Sequence, residues 1–294
     1  MTNEAKNRIR FDVRLVSLAL AVIIFAAYYI PLTINIPIQP WTRDFYNTIE
    51  SLKPGDIVFV NWGWASKPDA FEYFISAIGH LWSKNVKIIW VNSAEAAMPL
   101  SEEARKTFWG NDWTTNPKVM YGVPMVYGVN FVFLGWLPAG VDEVLTGMDL
   151  LRTPTKIFAV DYFGKPTASM PIIQAITKPG DFKLCYTFGN QYFQSGFGTP
   201  FAKFLQDNGI KCVQAGNTAL PSSFARNFYN TGYIQGFIAG IKGGYEYSIL
   251  TGISNETRAY MNSWVFCITF MVIGIIFTNI YSVRKIAVKN IKEA

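Results

Sequence analysis

Two long, uncharged and apolar segments, one near each end, constrain this chain more than any other feature. Residues 15–34 and 259–283 contain no Asp, Glu, Lys or Arg. A helix rises about 1.5 Å per residue, so each segment is long enough to cross about 30 Å of hydrocarbon. We therefore predict transmembrane helices at 15–36 and 259–283, with a folded domain at 37–258 between them.

The basic residues indicate how these segments are oriented. The tails at 1–14 and 284–294 hold eight basic and three acidic residues, and the whole chain carries a net charge of +6, so the domain between them is nearly neutral. Basic residues beside membrane spans are typical of the cytoplasmic side. We expect a two-pass protein of the cell membrane, with both tails in the cytoplasm and the domain outside it. The lipid bilayer is an expected partner, whereas nucleic acid is not, because the domain lacks a basic excess.

Two alternatives concern processing and oxidation. Ala26 and Ala27 follow an apolar stretch and are compatible with signal-peptide cleavage, but we expect an uncleaved anchor. Cys185 and Cys212 occupy two strands that we expect to be neighbours. Two buried free thiols are our expectation for them, and a disulfide is the alternative.

The central domain alternates between short apolar runs and amphipathic segments. This pattern predicts a doubly wound, mostly parallel α/β sheet of the Rossmann or flavodoxin type. The predicted strands lie at 57–60, 86–91, 129–134, 182–188 and 211–215. The predicted helices lie at 68–83, 101–108, 140–151, 200–207 and 222–249. Residues 153–180 are rich in Pro and Gly and are expected to form an excursion over the edge or mouth of the sheet.

Amide and indole side chains cluster where the predicted strands end. In parallel α/β sheets the ligand site lies at the carboxyl ends of the strands. Amides can bind hydroxyl groups and indole rings can cover a sugar-like or aromatic ring, so these residues suit a small, neutral, polar ligand. Turn formation alone is the competing explanation for Asn and Gly at strand ends. The candidate ligand-binding residues are Asn61, Trp62, Asn92, Trp136, Asp161 and Asn217.

Signatures of catalysis, metal binding and nucleotide binding are missing from the sequence. No G-x-G-x-x-G follows the first strand and no Walker lysine motif occurs. The chain has a single histidine, His80, which excludes a histidine-rich metal site and leaves one candidate for a Ser-His-Asp triad. We expect no cofactor and no metal, and we lean against an enzyme.

Four glycines recur at every fourth position within the helix predicted at 222–249. Each glycine inside a helix costs about 1 kcal/mol relative to alanine, so a compensating contact is expected. Residues four apart form one ridge of a helix, and a bare ridge lets another backbone approach closely. This ridge packs either on the domain's own sheet or on a second protomer or membrane partner. The candidate interface residues are Gly232, Gly236, Gly240 and Gly244.

Three segments carry a resemblance to known sequences. YGVNFVFLGW at 127–136, DYFGKP at 161–166 and GIKGGYEY at 240–247 resemble a group of uncharacterised prokaryotic membrane-anchored proteins. The resemblance implies an extracytoplasmic Rossmann-like domain between two transmembrane helices. It implies no activity and no catalytic residue.

Three functions follow as hypotheses. The first is a non-enzymatic accessory or scaffolding subunit that assembles with itself or with other membrane-protein subunits. The second is a membrane-tethered extracytoplasmic receptor for a small polar ligand. The third is an extracytoplasmic hydrolase or transferase that uses Asp161.

Overall fold

The computed structural model describes residues 13–29, 34–63, 71–110, 118–120, 122–137, 143–189, 198–217, 224–253 and 257–293. The predicted tail residues 1–12, the start of the helix predicted at 68 and the start of the helix predicted at 140 lie outside the described residues. Two compact units are present: one combines Met1–Asn35 with Arg258–Ala294, and the other is Ile36–Thr257. We call them the terminal unit and the central unit.

The elements of both units follow one another in this order. They are α1 (Val13–Tyr29), α2 (Pro40–Glu50), β1 (Ile57–Trp62), α3 (Phe71–Ser83), β2 (Lys87–Asn92), α4 (Met98–Trp109), β3 (Lys118–Met120), β4 (Val123–Met125), β5 (Phe131–Trp136), α5 (Glu143–Arg152), α6 (Pro154–Ile157), α7 (Pro171–Gln174), β6 (Phe182–Phe188), α8 (Gly198–Asp207), β7 (Lys211–Gly216), α9 (Phe224–Asn230), β8 (Gly236–Ala239), α10 (Gly240–Thr251) and α11 (Thr257–Glu293).

The terminal unit consists of α1 and α11. Within α11, Thr257–Ile280 is long and apolar enough to cross a membrane, whereas Val16–Tyr29 forms a shorter apolar helix. The two helices contact each other, since the Ser263 hydroxyl donates a hydrogen bond to the Ile24 carbonyl at 3.3 Å. The predicted carboxyl-terminal span is thus a helix of sufficient length, and the amino-terminal span stays a prediction.

The central unit contains a six-stranded, all-parallel sheet among its described residues. Its strand order is β5-β2-β1-β6-β7-β8. From β1 the chain first adds strands on one side, through β2 to β5, and then restarts on the other side with β6. The direction of winding therefore reverses between β1 and β6, which makes this pair the topological switch point of the sheet.

Both faces of the sheet bear buried apolar residues, because alternate side chains of a strand point to opposite faces. On β1, Val58, Val60 and Trp62 belong to one cluster, which also holds residues of α2, α3 and α10. Ile57 and Phe59 belong to the other cluster, which holds residues of α5, α8 and α9. We call these the α3 face and the α8 face. Helices cover both faces, as the sequence pattern predicted.

The parallel α/β sheet is confirmed, and all five predicted strands are present. Helix α2, strand β8 and the antiparallel β3–β4 pair were not predicted. The excursion at 153–180 contains the short helices α6 and α7. Cys185 and Cys212 lie opposite each other in the β6–β7 pair as buried free thiols.

The single helix predicted at 222–249 is wrong, and with it the glycine ridge. The segment is divided into α9, β8 and α10, and the backbone has positive φ at Gly232 (78°) and Gly240 (57°). Such φ angles interrupt a right-handed helix and favour glycine. Gly232 follows the end of α9, Gly236 begins β8, Gly240 begins α10 and Gly244 lies within α10. They share no helical ridge, so their predicted role as an interface loses its geometric basis.

One of these glycines does permit a close backbone approach, but inside the central unit. A Cβ atom on Gly236 would lie 2.2 Å from the Phe45 amide nitrogen and 2.7 Å from the Trp41 carbonyl oxygen. Helix α2 therefore rests directly on β8, with the Trp41 and Phe237 rings stacked at 5.1 Å. This packing explains a glycine that the sequence analysis assigned to a helix.

Candidate functional site

The carboxyl ends of the strands hold most of the predicted site residues but divide them between the two faces of the sheet. Asn61 is on the α8 face, because its neighbours Val60 and Trp62 point to the α3 face. Trp62 and Asn92 are register partners, as are Asn92 and Trp136. The predicted residues therefore do not form one site.

Asn61 instead joins two polar residues that the sequence analysis did not select. Asn61 of β1 pairs with Thr187 of β6, and Thr187 pairs with Gln214 of β7. Register partners in neighbouring strands share a face and lie about 4.8 Å apart. The three side chains thus form a row across the switch point. Each of these residues is at most 1% exposed to solvent. We call Asn61, Thr187 and Gln214 the polar row.

Hydrogen bonding in the polar row is incomplete. Neither the oxygen nor the nitrogen of the Asn61 carboxamide has a hydrogen-bond partner within the described parts of the chain, and the same holds for Gln214 Oε1. Gln214 Nε2 donates to the Gly189 carbonyl at 2.8 Å, and the Thr187 hydroxyl donates to the Val213 carbonyl at a long 3.5 Å. A buried polar group without a partner costs about 1–3 kcal/mol, so three such atoms in one row call for a compensating role.

Glycine stands two positions after each residue of the polar row, at Gly63, Gly189 and Gly216. Positions two apart on a strand share a face, so these three positions place no side chain of their own over the carboxyl side of the row. The strand ladder continues across these glycines: Gly63 donates to Phe188 at 2.7 Å and Gly189 donates to Ala215 at 2.8 Å. A Cβ atom on Gly189 would lie 3.2 Å from the Gly63 backbone. The polar row and the glycines therefore lie together on one face of the sheet, at the carboxyl ends of its strands.

Asn92, on the α3 face, contrasts with Asn61 because its carboxamide is fully used. Its oxygen accepts hydrogen bonds from Trp90 Nε1 at 3.1 Å and from the Ser101 hydroxyl at 2.9 Å. Its nitrogen contacts Met98 Sδ at 3.0 Å. These contacts hold the first turns of α4 against the end of β2. Asn92 is therefore a structural residue, and ligand binding by it stays a prediction.

Arg105 is a buried cation that sequence reasoning missed. Its guanidinium donates to Ser101 Oγ and to Glu102 Oε2, each at 2.6 Å, and its Cζ lies 3.5 Å from the centre of the Phe133 ring. Burial lowers the pKa of Arg105 to about 10, against the opposing effect of Glu102. An Arg four residues after a Ser on an amphipathic helix gave no signal of burial, since Arg is usually exposed.

Asp161 organises its own loop. One carboxylate oxygen accepts the amide hydrogens of Phe163 at 2.9 Å and Lys165 at 2.7 Å, and the other accepts the Tyr127 hydroxyl at 2.5 Å. Burial and this carboxylate raise the pKa of Tyr127. One oxygen is thus committed to the turn, as expected of a turn-forming aspartate, and the other to Tyr127. Its geometry offers no support for a catalytic or ligand-binding role.

The remaining predicted residues have separate places. Trp62 is buried and stacks on Trp90 at 5.8 Å, Trp136 is 42% exposed at the edge strand β5, and Asn217 directly follows β7 and is half-buried.

A titratable cluster lies away from the strand ends, between α2, α3 and α10. His80 Nδ1 lies 2.7 Å from the Tyr247 hydroxyl, and Nε2 lies 2.8 Å from Glu50 Oε1. Burial lowers the pKa of His80, while the Glu50 carboxylate raises it. An ionised Glu50 only accepts, so Nε2 carries the proton and Nδ1 accepts from Tyr247. His80 therefore joins three helices.

The described residues include no group of three or more His, Cys, Asp or Glu side chains that could hold a metal ion. No protein-family model, curated protein or solved structure matches this chain. The resemblance drawn from the sequence therefore stays a prediction, and the polar row is the observation on which function must be argued. Its two missed members had a signal: Thr187 and Gln214 are uncharged polar residues within mostly apolar strands.

Proposed function

We propose that the central unit is a binding domain for a small, uncharged, polar ligand, held at the membrane by the terminal unit. The observation that supports this most strongly is the Asn61 carboxamide, which is buried at the switch point with neither of its polar atoms bonded inside the described chain. Ligands of parallel α/β sheets bind at the switch point, outside the carboxyl ends of the strands. The strand order supports assigning the domain as Rossmann-like.

The composition of the row favours an uncharged ligand. Residues 189–198 and 216–224, which follow β6 and β7, contain no Asp, Glu, Lys or Arg, whereas the segment after β1 contains Lys67 and Asp69. The row itself consists of amide and hydroxyl groups, so it supplies no counter-ion to a charged ligand, and a buried unpaired charge is costly. Amide and hydroxyl groups satisfy a neutral polar ligand without that cost.

A comparison of two proteins tests this function. The full-length chain and its Asn61→Leu variant are purified in mild detergent, incubated with a small-molecule cell extract, washed and analysed by mass spectrometry. We expect the wild type to retain a small molecule that Asn61→Leu does not. Asn47→Leu is the matched control, because Asn47 is an exposed asparagine of α2. Equal retention by all three proteins would refute the proposal.

Membrane topology is part of the same proposal. Thr257–Ile280 supports one crossing by its length and composition. The uncharged segment 15–34 and the basic tails support a second crossing with both ends in the cytoplasm. Protease treatment of intact cells should remove the central unit and spare tags at both ends. Protection of the central unit, or cleavage of either tag, would contradict this topology.

An assembly role is a second candidate, carried by a different surface from the one predicted. Four large hydrophobic residues are exposed at or near the β5 edge: Trp136, Val160, Tyr162 and Phe163. Exposed aromatic groups of this kind are typical of protein interfaces. Tyr162→Ser with Phe163→Ser should shift the chain to a smaller species on native gels, whereas Leu145→Ser, at another exposed hydrophobic position, should not. An unchanged species would remove this candidate.

A further inference from the structure

The polar row also limits which chemical groups a ligand can present. This inference rests on the proposed function, because it assigns a chemical class to the ligand of the same site. Within the described parts of the chain, Asn61 keeps both an unbonded acceptor, Oδ1, and an unbonded donor, Nδ2. A carboxamide with both atoms available can bind a matching edge by two parallel hydrogen bonds, as Asn does with an adenine edge.

Gln214 adds a third, directional group. Its Nε2 donates to the Gly189 carbonyl, and a carbonyl oxygen only accepts, so the orientation of the carboxamide is fixed. Gln214 Oε1 therefore remains as a free acceptor beside the row. Between the two amides, the Thr187 hydroxyl makes only a long bond to Val213, which it can exchange for a ligand contact.

Glycines flank the row on its carboxyl side. Gly63, Gly189 and Gly216 each follow a row residue by two positions, and an added Cβ on Gly189 would crowd the Gly63 backbone at 3.2 Å. A planar group needs less room beside such backbone than a branched one. No carboxylate or ammonium side chain belongs to the row.

We propose that the ligand presents a flat, uncharged amide edge, with an adjacent donor and acceptor that pair with Asn61 and a second donor that reaches Gln214 Oε1. Primary carboxamides, lactams and nucleobases have such edges. A polyol has hydroxyl groups that both donate and accept but no planar donor–acceptor pair.

Defined probes test this class on the full-length protein in detergent. Binding is measured by ligand-observed NMR and by thermal shift for nicotinamide and uracil. The matched non-donor analogues are N,N-dimethylnicotinamide and 1,3-dimethyluracil, and the polyols are glucose and myo-inositol. We expect at least one amide probe to bind and its methylated analogue to bind at least about tenfold more weakly.

Variants locate the binding. Asn61→Leu and Gln214→Met should each lower the affinity for the amide probe by about tenfold or more, and Asn47→Leu should leave that affinity unchanged. Gln214→Met keeps the test valid if Asn61→Leu fails to fold. Binding of a polyol but of no amide, with sensitivity to Asn61→Leu, would overturn the amide class and leave the proposed function standing. Binding of no probe, together with no small molecule retained from the extract, would overturn both.

Discussion

Asn61 and Asn92 are both fully buried asparagines near the ends of neighbouring strands, yet they differ in every contact. The Asn92 oxygen accepts two hydrogen bonds and its nitrogen contacts a sulfur, so its surroundings are complete. The Asn61 carboxamide has no such partner in the described chain. A buried amide that is satisfied supports the fold, whereas one that is not costs stability and is retained for another reason. The two residues are of the same type, so hydrogen-bond completeness, rather than residue type, separates these two amides.

The largest expected effect comes from removing the satisfied amide. Asn92→Leu leaves the Trp90 indole and the Ser101 hydroxyl without their acceptor, which should cost about 3 kcal/mol. For a domain of this size that lowers Tm by about 6–12 °C. Thermal unfolding of the full-length protein in detergent, followed by circular dichroism, measures this. An unchanged Tm would show that the Asn92 contacts contribute little and would break the comparison.

The same substitution at Asn61 should raise the stability of the protein instead of lowering it. Asn61→Leu replaces an unsatisfied amide with an apolar group of similar volume, which should stabilise the ligand-free protein by about 1–2 kcal/mol. The same unfolding experiment should show a rise in Tm of about 2–8 °C. A fall as large as that of Asn92→Leu would mean that Asn61 is a structural residue.

Acidification should act on the α3 face and leave the polar row unaffected. Burial holds the pKa of His80 below its ordinary value of 6.5, although Glu50 opposes this. The unfolded chain therefore takes up a proton first as pH falls, so stability is complete above pH 6.5 and declines below it. Hydrogen bonds from Lys84 and His80 lower the pKa of Glu50. Its protonation therefore causes a further loss of stability at more acidic pH.

The variant His80→Gln isolates this effect. Its Tm should change less than that of the wild type between pH 7 and pH 5.5, because the titrating group is gone. The groups that face His80 are Tyr46 and Glu50 of α2 and Tyr247 of α10. An identical pH dependence in both proteins would assign the acid sensitivity to other groups.

The smallest effect is expected at the centre of the polar row. Thr187→Val removes a hydroxyl whose hydrogen bond is long, at 3.5 Å, and keeps the side-chain shape. Stability should change by less than about 0.5 kcal/mol. Denaturant unfolding monitored by tryptophan fluorescence measures this difference. A loss of more than about 1.5 kcal/mol would show that the row is already well bonded.

Sequence reasoning predicted the sheet because its strands are continuous apolar runs, a pattern that depends on local composition alone. It missed β8, since glycines at every fourth position matched a helical period and the strand Gly236–Ala239 is only four residues long. It assigned no element to residues 40–50 and so missed α2, although Pro at the first position of a helix, as Pro40 is here, is favourable.

The site was predicted in part, for reasons that concern register. Asn61 was selected, but strand order and register decide which residues lie beside it, and neither is encoded in one strand. Thr187 and Gln214 become visible as its neighbours only when β6 and β7 take their places in the sheet. Hydrogen-bond completeness, which separates Asn61 from Asn92, depends on the whole packed structure.

The most direct test of the central claim follows the two asparagines in one experiment. The full-length protein, labelled with ¹⁵N at asparagine side chains, is titrated with the amide probe that binds best, and Asn61→Leu and Asn92→Leu spectra assign the two resonances. The account predicts that the Asn61 side-chain signals shift with saturation while those of Asn92 stay in place. If the signals of both asparagines stay in place, or if only those of Asn92 shift, the assignment of the polar row as the binding site is contradicted.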